Sequence, residues 1–193
     1  MNALMMISPN YDITKTTKPV SIESNIDIYE DRIRFWIIEP ARKLTLYKHG
    51  GVAICYLLAS YFEGFTIILR GKDSERKSPQ FFRQGFLSVF PKISSTNYSA
   101  NQLNEIINIM YKSFRCGLYH TGLFREKIWL IESNDPITIL LNTQKRISFI
   151  QIDTARLIES VETHFNNYIC ELRCTENVEK RNNFIKAMDL LNS

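Results

Sequence analysis

The chain has 193 residues, 45% hydrophobic and 23% charged, which is ample for one buried core and too apolar for a disordered chain. Its formal charge of +4 is ordinary for a surface of this size and does not by itself indicate nucleic acid. Cys55, Cys116, Cys170 and Cys174 lack the paired spacing of a zinc site, and no secretory leader or membrane span precedes them, so free thiols in the cytoplasm are expected.

Residues 1–21 read as a flexible N-terminal arm and 22–193 as a single, mainly α domain. Ile26, Tyr29, Ile33, Trp36, Leu44 and Tyr47 recur at helical spacing, and Pro40 either kinks this helix or opens a second one. Gly50 and Gly51 close the unit. The stretch from Val52 to Leu69 is apolar nearly all round, as a central bundle helix would be, and Gly71 ends it. After a polar loop over 72–77, Ser78 is a candidate cap and Pro79 a first-turn residue for a helix through Phe81, Phe82 and Phe86, which Pro91 stops.

Ser99 can cap the next helix, whose stripe of Leu103, Ile106, Ile107, Met110, Phe114 and Leu118 runs out to Gly122. The pattern then changes to short β-branched runs separated by turns, predicting a small antiparallel β insertion at about 127–152. Asp153 caps a helix through Leu172, and a last amphipathic helix covers about 176–191.

Chemistry concentrates at Phe-Arg-Cys-Gly-Leu-Tyr-His-Thr-Gly, residues 114–122. The guanidinium of Arg115 is permanently charged and can hold a phosphate through several donors, while the imidazole of His120 can move a proton. The pair points to phosphodiester cleavage, with RNA the favoured substrate.

A helical bundle whose long helix ends in Phe-Arg-Cys-Gly-Leu-Tyr-His resembles the HEPN domains (higher eukaryotes and prokaryotes nucleotide-binding), marked by an arginine followed by four to six residues and a histidine. The resemblance spans roughly 24–191 in architecture, and its specific part is the motif. It implies a metal-independent ribonuclease of a toxin, phage-defence or RNA-processing system, needing no cofactor. It also implies a homodimer in which two motifs meet, and an antitoxin or defence-system partner protein. Carried over residue by residue, it assigns Arg115 and His120 as catalytic. The position after the arginine, often polar in active members, is Cys116 here, and this keeps a catalytically silent nucleotide- or RNA-binding module as the second reading. Thr121 and Gly122 follow the histidine, where toxins paired with a nucleotidyltransferase commonly carry a tyrosine.

In an ideal α-helix, residues five apart lie about 140° apart, so Arg115 and His120 would flank the core stripe unless the helix is distorted or a second chain intervenes. Glu63, in an apolar helix, either orients Arg115 or reaches solvent at the bundle edge. Tyr119 is expected to pack at an interface, with substrate contact the alternative. The plainer account of Arg115 and His120 is a pair of cations favoured by a helix C-terminus. His49 and His164 have no metal-ligand partner at useful spacing, and no metal site is expected. Cys170 and Cys174 read as core fillers. The basic cluster of Arg70, Lys72, Arg76, Lys77 and Arg83 could guide RNA or simply be a solvated loop.

Overall fold

The computed structural model describes residues 6–12, 20–95 and 98–192. The chain is mainly helical, with a small three-stranded sheet and a two-stranded hairpin. A short hairpin, β1 (Met6–Ser8) and β2 (Tyr11–Asp12), comes first. Of the expected flexible arm, residues 6–12 form this hairpin, and 1–5 and 13–19 lie outside the described residues. Asn10, in the turn, donates from its backbone N–H (2.9 Å) and its Nδ2 (2.6 Å) to the buried Asp31 carboxylate, while Arg32 Nε donates to the Ile7 carbonyl. These bonds offset the cost of ordering the segment and give Asp31 partners within the fold.

Helix α1 (Ile22–Ile33), capped by Ser21, runs into a π-helical stretch at Arg34–Ile38 and then α2 (Glu39–Leu44). Pro40 sits just inside α2. Proline cannot donate to the carbonyl four residues back, and its ring crowds that carbonyl; the wider turn immediately before it accommodates both without breaking the helix.

Helix α3 (Gly51–Arg70) is the centre of the bundle, packed by α4 (Ser78–Val89), α8 (Thr154–Arg173) and α9 (Val178–Asn192). Among the described residues it is the one helix long and apolar enough to cross a bilayer, and 56% of that stretch is buried inside the protein. Phe62, Phe82 and Phe86 form a fully buried aromatic contact between α3 and α4. Gly85 of α4 lies directly against α3, where an added Cβ would stand 1.8 Å from the Phe62 carbonyl oxygen. Gly71, at φ 60°, ends α3 in the left-handed conformation.

Pro91 opens the short α5 (Pro91–Ser95) after Phe90 breaks α4. Helix α6 (Ala100–Ile109) starts from a full capping box, in which Ser99 accepts from the Gln102 N–H and the Gln102 side chain accepts from the Ser99 N–H. A second π-helical stretch, Met110–Cys116, joins it to α7 (Gly117–Thr121), which Gly122 closes at φ 70°.

The sheet contains β3 (Ile128–Leu130), β4 (Ile137–Leu141) and β5 (Ile147–Ile152) in the order β3-β5-β4. It is mixed, which corrects the expectation of an antiparallel insertion: β4 and β5 are antiparallel, but β3 runs parallel to β5. A tight turn held by Asn142 forces the first pairing, whereas a whole strand intervenes between β3 and β5 and returns the chain to the same end. Asp153 caps α8 through the Arg156 N–H and also accepts from the Ser133 N–H, tying sheet to bundle.

Cys170 and Cys174 are exposed, so they do not fill the core; among the free cysteines Cys55 is the buried one. Both project from the outer side of the last turn of α8, away from the stripe of Phe165, Ile169 and Leu172.

Candidate functional site

The π-helical stretch carries Arg115 and departs from the regular geometry in which Arg115 and His120 would be separated around the helix. Hydrogen bonds one residue longer than in an α-helix widen this turn, a distortion that recurs at functional sites. Tyr111, Arg115 and Tyr119 follow one another at intervals of four residues. The Arg115 guanidinium carbon lies 5.9 Å from the centre of the Tyr111 ring and 5.2 Å from that of Tyr119. The Tyr119 ring is also 5.2 Å from the His120 imidazole, nearly perpendicular to it. One exposed aromatic ring therefore touches both motif residues.

The guanidinium is fixed from the core side as well. Arg115 Nη2 donates to Glu63 Oε2 at 2.9 Å, with the glutamate side chain 12% and the arginine 24% exposed. Of the two fates expected for Glu63, pairing and reaching solvent, the structure adopts pairing. Partial burial works to lower the basicity of Arg115, but Glu63, then Tyr111 and the Cys116 thiol beside it, raise it above its ordinary value. Arg115 is therefore a held, permanent cation that keeps part of its surface in solvent.

Cys116 is half-buried and packs against Tyr111 and Arg115. Ser78, expected as a helix cap, is already inside α4, and its hydroxyl instead accepts from the Tyr111 hydroxyl at 3.2 Å. Tyr111 was not singled out from sequence, although its position four residues before Arg115 is the spacing at which side chains meet on a helix. Tyr119 is 66% exposed, so its expected packing is not supplied within the chain. His120 and Thr121 are exposed too, with the Thr121 hydroxyl bonded to the Gly117 carbonyl.

Residues 123–125 fold back on the motif. Phe124 stacks on Phe114, the Arg125 N–H donates to the Ser113 carbonyl at 3.1 Å, and Gly117 leaves the space that this return segment occupies. Elsewhere, Arg70 lies over the Phe81 ring and Arg83 bonds Asn104, so two members of the basic cluster are engaged locally. An open groove of about 1180 Å³ is lined by His49, Lys48, Glu132 and Arg156 among others and includes neither Arg115 nor His120. Among the described residues, no three of His, Cys, Asp and Glu form a metal-holding group.

His164, named in the sequence only as lacking a metal-ligand partner, has hydrogen-bond partners that are remote in sequence. Its Nδ1 is 2.9 Å from the Tyr61 hydroxyl and its Nε2 2.8 Å from Ser88 Oγ. The buried Tyr61 hydroxyl has no other hydrogen-bond partner among the described residues; with its proton donated to Nδ1, the proton on Nε2 points to Ser88. That is the reverse of the tautomer that would activate a serine nucleophile, and it makes the trio a structural pin between α3, α4 and α8.

Burial depresses the His164 imidazole to about 4. The unfolded chain then takes up the proton first, so this contribution to stability is full above about pH 6.5 and falls until about pH 4. With the ring partly exposed, the loss should be roughly 1–2 kcal/mol. His164→Gln should be less stable at neutral pH but flatter across that window in chemical denaturation. Equal pH slopes for the variant and the wild type would remove His164 as the source.

No protein-family model, curated protein or solved structure matches the chain.

Proposed function

We propose that the chain is a metal-independent endoribonuclease of HEPN type, acting as a homodimer in a toxin or phage-defence setting in the cytoplasm. The observation that carries the reading is the cation held by Glu63 between two tyrosines, one of which, Tyr119, also lies against the exposed His120. A preorganised guanidinium is suited to charge that develops on phosphorane oxygens, and an accessible imidazole to proton transfer.

In the proposed reaction the ribose 2′-oxygen bonds to phosphorus while the bond from phosphorus to the 5′-oxygen breaks. One His120 takes the 2′-hydroxyl proton, and the partner's His120 gives a proton to the leaving 5′-oxygen. The products are a 2′,3′-cyclic phosphate and a 5′-hydroxyl. DNA lacks the internal nucleophile and would bind without reacting.

The second reading, a silent nucleotide- or RNA-binding module, draws on Cys116, a weak hydrogen-bonding group packed against the guanidinium. One experiment separates the two: single-stranded RNA incubated with the purified chain in excess chelator, with the ends of the fragments identified. Cleavage to 2′,3′-cyclic phosphate is expected. Products with 5′-phosphate, or cleavage only on adding divalent metal, would overturn the ribonuclease reading; binding that depends on Arg115 without any cleavage would leave the binding module.

A further inference from the structure

The outward face of the sheet holds a second aromatic feature that the motif does not explain. Strand register puts Trp129 beside Gln151, and Leu140 beside Phe149, on the side opposite the buried Ile128, Ile150 and Ile152. The rings of Trp129 and Phe149 stack at 4.5 Å between centroids and 18° between planes, and Trp129 remains 55% exposed. No charged residue lies on this face within the strands, but cations gather at one end. Arg125 and Lys127 immediately precede β3, and Lys145 and Arg146 precede β5; because β3 and β5 are parallel, all four rim the same end. Lys127 is paired with Glu105, whereas Arg125, Lys145 and Arg146 are exposed and have no ion-pair partner among the described residues.

We infer that the Trp129 and Phe149 face is a nucleobase-stacking subsite for single-stranded RNA, with the basic rim engaging its phosphates. The inference takes the identity of the polymer from the ribonuclease reading. A flat aromatic surface beside unpaired cations suits a strand whose bases are free to stack and whose backbone is anionic. The rim is continuous with the motif, since the Arg125 N–H is bonded to Ser113, two residues before Arg115. Four residues of chain bring Trp129 within about 14 Å of Arg125, so one short strand can reach both the rim and the stack.

The test uses a 2′-O-methyl oligouridine, which cannot undergo internal attack, and the full chain with Trp36→Phe so that Trp129 is its one indole. The oligonucleotide should quench Trp129 fluorescence, and its duplex with a complementary strand should not. Trp129→Ala and Trp129→Leu should each weaken binding about tenfold or more, while Trp129→Tyr should hold it within a few-fold. Arg146→Ala should lower the slope of log affinity against log salt by about one. Unchanged affinity in folded Trp129→Ala and Trp129→Leu proteins overturns the inference. So does a change in mass by light scattering without a change in affinity, which would make the face a protein interface. Binding that depends on Trp129 in a protein that cuts no unmodified RNA would overturn the ribonuclease reading alone.

Discussion

Arg115→Ala and His120→Ala should each reduce RNA cleavage by about 10²- to 10⁴-fold, with the thermal melt close to wild type for His120→Ala and lowered for Arg115→Ala, which leaves the buried Glu63 without its partner. The melt of His120→Ala is informative because that side chain is exposed and fills no core. Glu63→Gln should fall between the variants and the wild type: the amide preserves shape and one hydrogen bond but no longer fixes the cation by charge. Mixing the two inactive alanine variants tests the composite site. Because the proposed reaction uses the His120 of both protomers, a mixed dimer that keeps a single His120 should stay about as inactive as its parents. Cleavage restored in a demonstrated mixed dimer would show that one Arg115 and one His120 suffice, and would overturn the division of roles between two histidines. Cleavage retained in each separate variant would assign the activity to a contaminant.

Gly85→Ala should be the most destabilising small substitution in the protein, costing about 3 kcal/mol or more. The added methyl would meet the backbone of Phe62, which has no rotamer through which to yield, and relief requires α3 and α4 to separate around Phe62, Phe82 and Phe86. Gly64→Ala is the matched control. A Cβ at Gly64 meets nothing within 4 Å, so the same change in the same helical context should stabilise by about 0.5–1 kcal/mol through helix propensity alone. Urea denaturation of both variants decides the matter; similar midpoints would show that the close approach of α3 and α4 relaxes at little cost.

Local chemistry in the chain specified much of the fold. Ser99 and Asp153 cap helices through their own side chains, Gly71 and Gly122 end helices in left-handed geometry, and the continuous apolar run after Gly51 becomes the buried centre. The π-helical stretches were not legible, because hydrophobic spacing does not register one extra residue in a turn. The parallel pairing of β3 with β5 was missed for a related reason: alternation marks a strand and says nothing of its neighbour. The candidate site lies between these cases. A lone carboxylate in the apolar run required a partner, so Glu63 could be noticed, but its choice of Arg115 depends on how two distant helices pack. Tyr61, Ser88 and His164 carried no signal at all, since the trio exists only after three helices assemble.

The central position of α3 has a consequence for synthesis. Translation proceeds from the N-terminus, so α3 emerges before α8 and α9, the later helices that pack against it. At about 5–20 residues per second, roughly a hundred intervening residues take on the order of 5–20 s. During that interval a segment with the length and hydropathy of a membrane anchor has its earlier neighbours, α4 and the Met110–Thr121 stretch for shelter, without the two C-terminal helices. Nascent chains of this protein therefore present a transient target to factors that bind exposed apolar helices, and the completed C-terminal helices withdraw it.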